Sequence, residues 1–213
     1  FNLLEKSLKY NVPRFLQIST DEVYGALSLT DASSTEDMRL EPNNVYSAAK
    51  ASAEMLVRSF HKTYGLDVVT TRCCNNYGPR QDKEKLIPKV ISNALNNDPI
   101  PVYGKGDNIR EWIHVIDHCI AIKHIFDCGT AGEVYNIGSG VELENLHLVK
   151  LILSVTNRPE SLIQFVKDRK GHDFRYSLNF DKLTHLGWRP EYGDIDRMME
   201  GLQETVEWFK RSS

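Results

Sequence analysis

The sequence has no apolar run near the roughly 18 residues that a helical membrane span needs, and no excess of positive charge. Its 26 Lys and Arg stand against 29 Asp and Glu, a formal charge of −3 over 213 residues. The first absence leaves no segment here that reads as a membrane helix. The second argues against nucleic acid as the main partner. No signal peptide is read either, since Phe1 to Tyr10 carries Glu5, Lys6 and Lys9 among its apolar positions. Cysteine is scarce. Cys73, Cys74, Cys119 and Cys128 form no CxxC pair, so neither zinc nor a thioredoxin-like motif is expected. A reducing, cytoplasmic setting is the expectation. A glycine-rich phosphate loop is missing too. Gly104-Lys105-Gly106 follows a short strand, but it lacks GxGxxG spacing, and Asp107 would repel phosphate.

What is present is an alternation of strand-like and helix-like segments. Leu3, Leu4, Leu8 and Val12 recur at helical spacing and read as the tail of a helix whose start lies outside the sequence. Arg14 to Ser19 reads as a buried strand, and 27–42 as a polar loop. Asn43 or Asn44 is expected to cap a long helix to about Tyr64, with Gly65 as its terminator. Leu66 to Arg72 is β-branched and apolar, as buried parallel strands are. Asn75 to Pro79 reads as a turn, and Glu84 to Asn97 as a helix. Strands follow near 99–106, 109–115, 133–137 and 163–166; helices follow near 116–128, 146–155 and 194–210. This order predicts an α/β fold with a parallel sheet.

Three groups of residues could carry chemistry. Tyr46 and Lys50, in Y-S-A-A-K, share one helix face at i and i+4. An ammonium beside a phenol lowers its pKa and makes it a base for a sugar hydroxyl. Thr20-Asp21-Glu22 ends a strand, where open α/β sheets bind ligands. Two adjacent carboxyls can divide into acid and base if their environments differ. Asn75, Asn76, Lys85, Arg110, Arg169 and His172 are scattered polar groups, with Arg suited to gripping phosphate. Taken singly, each has a bland reading: a surface pair, an acidic turn, a solvated charge.

Taken in order, they resemble a known family. The runs S-T-D-E-V-Y-G (Ser19 to Gly25), Y-S-A-A-K, T-R-C-C-N-N-Y-G-P (Thr71 to Pro79), K-L-I-P, P-V-Y-G-K-G-D-N-I-R-E-W, Y-N-I-G, D-R-K-G-H-D and L-G-W-R-P are similar to those of nucleotide-sugar 4,6-dehydratases. These belong to the extended short-chain dehydrogenases, and the T-D-E triplet resembles the dTDP-glucose type in particular. The resemblance covers essentially the whole chain. It implies the C-terminal part of a Rossmann-type parallel sheet plus a smaller mixed α/β substrate-binding lobe. Residues 1–80 would be the second half of the NAD-binding domain and 81–213 mainly the nucleotide-sugar lobe, with about 109–138 returning to the Rossmann sheet.

The same resemblance implies roles. Tyr46 would take the proton of the sugar 4-hydroxyl, and Lys50 would hold Tyr46 as phenolate and touch the NAD ribose. Thr20 would bond the 4-oxygen, Glu22 would remove the C5 proton, and Asp21, its pKa raised by burial, would protonate the leaving 6-hydroxyl. Asn76 would face NAD. Asn75, Lys85, Leu86, Arg110, Asn145, Arg169 and His172 would hold the nucleoside diphosphate, with Pro101, Val102 and Tyr103 along base and ribose. A homodimer is expected through the long helix, with Leu56, Phe60 and Tyr64 on its outer face. Cys74 replaces the usual Ser, and Lys170 the usual Pro. A GxxGxxG segment of roughly 100 residues, carrying the first nucleotide-binding half, is not in the sequence. The alternatives are a remnant that keeps the sugar-nucleotide pocket without redox chemistry, or a related epimerase or decarboxylase.

Overall fold

The protein is described from a computed structural model, which covers residues 1–168 and 171–212. In chain order the elements are α1 (Asn2–Lys9), β1 (Phe15–Thr20), α2 (Val45–Tyr64), β2 (Val68–Cys73), β3 (Asn75–Tyr77), α3 (Leu86–Asn96), β4 (Ile100–Tyr103), β5 (Ile109–His114), α4 (Val115–Cys128), β6 (Val134–Ile137), β7 (Glu142–Glu144), α5 (Asn145–Thr156), β8 (Ile163–Val166), α6 (Asp181–His185) and α7 (Ile195–Ser212). None of the described helices is long and apolar enough to cross a membrane.

The strands form three small sheets. In the first, β2 lies between β1 and β6, all parallel, with Phe15 opposite Val68 and Thr70 opposite Val134. Burial on both faces explains the continuous apolar and β-branched run of β2. In the second, β5 pairs in parallel with β3 and antiparallel with β7. In the third, β4 pairs in parallel with β8. Of residues 109–138, β6 pairs with β2 and α4 packs against β2, β5 and β6, while β5 itself belongs to the second sheet.

The two larger cores lie on either side of this division. One gathers Ile87 and Ile91 of α3, Leu148 and Ile152 of α5, and Met198 and Leu202 of α7. The other gathers Val23, Val69, Ile113, Ile125 and Ile137 around the first sheet. Helix α2 is fastened to β2 by a buried ion pair, Arg72 Nη2 to Glu54 Oε2 at 2.6 Å. Arg72 Nη1 also donates to Tyr24 Oη, which in turn donates to Asn136 Oδ1.

Three local readings need correction. Asn75–Tyr77 is a strand, not a turn, because its backbone pairs with Trp112–His114; the turn begins only at Gly78, with φ +144°, and Arg80, with φ +67°. Helix α3 starts at Leu86 instead of Glu84, since Lys85 is extended and Pro88 occupies the first turn. Phe60 does not face outward. It is buried against Leu4, Val57 and Val68, while Met55, Leu56 and Tyr64 are exposed apolar residues of α2.

Candidate active site

The site begins where β1 runs out. Thr20 is extended, and its hydroxyl accepts from the Glu22 N–H to open a tight turn over Asp21–Tyr24. This turn places adjacent carboxyls in different surroundings. Asp21 is 4% exposed. Its Oδ1 accepts from the Thr20 hydroxyl at 3.1 Å, and its Oδ2 has no partner. Burial pushes its pKa up to about 7, opposed by the Thr20 bond and helped by Glu111 and Glu22. Glu22 is half-buried and accepts from Asn44 Nδ2 at 3.0 Å. Asn44 also caps α2, its Oδ1 accepting from the Ser47 N–H while Ser47 Oγ accepts from the Asn44 N–H. The same side chain therefore starts the helix and holds Glu22.

Tyr46 follows in the first turn of α2, with Lys50 one turn on. Lys50 Nζ sits 5.9 Å from the centre of the Tyr46 ring and donates to the Ile18 carbonyl at 3.0 Å. The expected lowering of the Tyr46 pKa is not found. Burial, then Glu22, Cys73 and Asp21, push it up. The physical reason is partial burial of the phenol first and the nearby acidic groups second, while the ammonium is held by a strand carbonyl.

Thr20, Asp21, Glu22, Tyr46, Lys50 and Asn76 all border one cavity of about 490 Å³. Asn75, Lys85 and Leu86 border both this cavity and a neighbour of about 500 Å³ that also contains Arg110, Asn145 and His172. Leu86, Asn145 and His172 in turn border a third, of about 200 Å³, with Pro101, Val102 and Tyr103. The shared walls make one trough, from the Asp21–Tyr46 end to the β4 end. Arg169 lies outside the described residues. Arg110 is buried, and its guanidinium donates to the carbonyls of Ile109, Asp173 and Phe174 and stacks 4.4 Å over Tyr176. It thus fixes the 173–174 segment against β5. His172 Nδ1 lies 2.8 Å from Asp168 Oδ1.

Sequence reasoning missed residues in this wall and behind it. Gln81, Trp112 and His118 line the first cavity. Glu111 lies buried behind it, its carboxylate accepting from the N–H groups of Ser139, Gly140 and Leu178. Burial nevertheless pushes its pKa up to about 7. A lone His on a helix, or a Trp within a strand, carries no signal that separates a wall residue from a core residue. A further cavity of about 600 Å³, between α7 and the 78–81 turn, meets the trough at Asn76 and Gln81.

The family model described as GDP-mannose 4,6 dehydratase matches residues 1–202. The chain belongs to the GDP-mannose 4,6-dehydratase family. Among members of known name, it is 50% identical over 207 residues to the low-salt glycan biosynthesis protein Agl12 of Haloferax volcanii, covering 97% of this chain and 65% of that protein. The solved structure of DesIV, a dTDP-glucose 4,6-dehydratase from Streptomyces venezuelae with NAD and TYD bound, superposes with a TM-score of 0.93 at 45% identity, over 98% of this chain and 63% of that one. A UDP-glucose 4-epimerase from Thermotoga maritima, solved with UDP-glucose, superposes at 0.91 with 31% identity, over 99% and 67%. The chain therefore spans less than two thirds of the Agl12 and DesIV chains. In this chain's α/β architecture, the trough occupies the ends of β1, β2 and β3.

Proposed function

We propose that this chain carries the sugar-side chemistry of a dTDP-glucose 4,6-dehydratase that works with NAD. The observation that carries the reading is the Asp21–Glu22 pair: neighbouring carboxyls, one buried and holding its proton up to about pH 7, the other half-buried beside an amide donor. Elimination of water needs an acid and a base at adjacent carbons, and this pair supplies them.

In this reading Tyr46 takes the proton of the sugar 4-hydroxyl. Lys50, released from the Ile18 carbonyl, supplies the positive charge that the phenolate needs. The ketone formed at C4 acidifies the C5 proton, and Glu22 removes it. Asp21 gives its proton to the 6-hydroxyl, which leaves as water. Thr20 donates to the 4-oxygen. NAD, when bound, would supply the hydride acceptor for C4 and the hydride donor for C6, with Glu22 returning the proton to C5. The residues present fit the nicotinamide end of NAD, since Tyr46, Lys50 and Asn76 share one cavity whose wall holds buried acceptors without donors. Lys85, Asn75, Asn145, His172 and Arg110 would surround the diphosphate, with Leu86 and Pro101 to Tyr103 against the base. A UDP-sugar 4-epimerase, the second reading, shares the fold but has no use for a buried acid at Asp21. We also propose a homodimer through the exposed apolar residues of α2, Met55, Leu56 and Tyr64.

The test is a Glu22→Gln variant given NAD and dTDP-glucose. Oxidation at C4, read as nicotinamide reduction, should persist while the dehydrated 4-keto-6-deoxy sugar disappears. Undiminished product would remove Glu22 from its role. Conversion of UDP-glucose to UDP-galactose by the unaltered chain would favour the epimerase.

A further inference from the structure

Two neighbouring asparagines stand at the start of α2, and each holds a carboxylate. Asn44 Nδ2 donates to Glu22 Oε2 at 3.0 Å, and Asn43 Nδ2 donates to Asp173 Oδ1 at 2.8 Å. The second bond joins residues 130 positions apart in sequence. Asp173 is 9% exposed, and all three of its oxygens accept. Its Oδ2 accepts from the Tyr176 hydroxyl, and its carbonyl accepts from Arg110 Nη2 at 2.8 Å and Asn108 Nδ2 at 3.2 Å. Burial, then the Asp173 carboxylate, push the Tyr176 pKa up, so that hydroxyl keeps its hydrogen and donates.

Held in this way, Asp173 fixes the residue before it. His172 borders the two compartments read as the seat of diphosphate and base. Glu22, Asn44, Asp173 and Tyr176 border the larger of the two as well, whereas Asn43 borders neither. Asn43 therefore acts through what it holds. Its Cα lies one trans peptide, about 3.8 Å, from that of Asn44. Asn44 is locked in turn by its two bonds with Ser47. A displacement of His172 and Asp173 is thus carried across one peptide to the amide that holds Glu22.

We propose that Asn43 is a positioning residue that couples the seating of a nucleoside diphosphate to the placement of Glu22. The coupling rests on the reading of the trough as a dTDP-sugar site. One helix start preorganises Glu22 and His172 together, which lowers the ordering cost of binding. The coupling is also reciprocal. If seating the diphosphate favours the held position of Glu22, holding Glu22 favours the diphosphate by the same factor.

The experiment is a double-mutant cycle in dTDP affinity, by calorimetric titration of the unaltered chain, Asn43→Ala, Glu22→Ala and the double variant. Glu22→Ala removes a negative charge from the diphosphate's compartment, which tightens dTDP, and frees Asn44, which weakens it. With Asn43→Ala in place, only the first effect remains. Loss of Glu22 should therefore favour dTDP at least about threefold more in the Asn43→Ala background than in the unaltered chain. The exchange of Asn43→Asp with Asp173→Asn should bring the unaltered behaviour back, and Asn43→Asp alone should not. In the exchange, the amide at 173 keeps an oxygen for the Tyr176 hydroxyl and gives its nitrogen to the carboxylate at 43. Melting temperatures report that each variant is folded. Equal effects of Glu22→Ala in the two backgrounds overturn the coupling and leave the dTDP reading standing. Absence of dTDP binding by the unaltered chain overturns both.

Discussion

Asp21 is a carboxyl kept out of water with one oxygen, Oδ2, that has no partner. Its pKa is raised from 3.8 to about 7, so the folded chain binds this proton more tightly than the unfolded chain does. The resulting stability is present in full below the unfolded value and is lost as pH rises through the folded one. Replacing Asp21 with the neutral Asn should therefore change thermal stability little below about pH 4, yet raise it relative to the unaltered chain by about 1–4 kcal/mol near about pH 8. A stability gap that does not widen between these pH values would contradict the buried-acid role. The same substitution should lower dehydration by about 10²–10⁴-fold, because no proton is available for the leaving hydroxyl. The T-D-E triplet made this acid legible in the sequence. The phenol was not legible in the same way: spacing placed Tyr46 and Lys50 on one face, but only the folded backbone supplies the Ile18 carbonyl that holds the ammonium. His118 was invisible for a related reason, since the Asn76 side chain that orients it lies 42 residues away in sequence.

Among the elements, α2 connects stability to the site through its first residue. Asn44→Ala removes the cap and the Glu22 contact together, and should cost about 1 kcal/mol in a urea unfolding curve. Asn44→Asp keeps a capping oxygen but sets a carboxylate against Glu22. It should leave the unfolding midpoint nearly unchanged while lowering the rate of dehydration, since the contact that holds Glu22 becomes a repulsion. A fall in midpoint equal to that of the Ala variant would mean that the Glu22 contact, not the cap, is the stabilising part. This helix, its cap and Gly65 were readable from local chemistry. Strand β3 was not, because Asn-Asn-Tyr has the composition of a turn and its partner β5 enters only after α3 and β4. Pairing between distant segments overrode local propensity there.

For the whole molecule, the division into two cores explains where the trough lies. Asp21, Tyr46 and Lys50 belong to elements around the first sheet, and Leu86, Tyr103 and Asn145 to elements around the core of α3, α5 and α7. The alternation of strands and helices made this α/β order legible, but not the split into three sheets, which depends on β3 leaving the line of β2 within one residue. The exposed apolar face of α2 operates at this scale as well. Leu56→Arg should convert the proposed dimer to a monomer in light scattering, and an unaltered chain that is already monomeric at every concentration would remove that partner. Trp112 is 4% exposed and borders the two larger compartments of the trough at once. Trp188 packs against Phe180 in the core around the first sheet, and Trp208 stands on α7 beside the further cavity. The indole whose surroundings change on occupancy is therefore distinct from the other two. A chain with Trp188 and Trp208 replaced by Phe would carry a single native fluorophore at the seam, able to time the arrival of sugar nucleotide and dinucleotide separately without any added label.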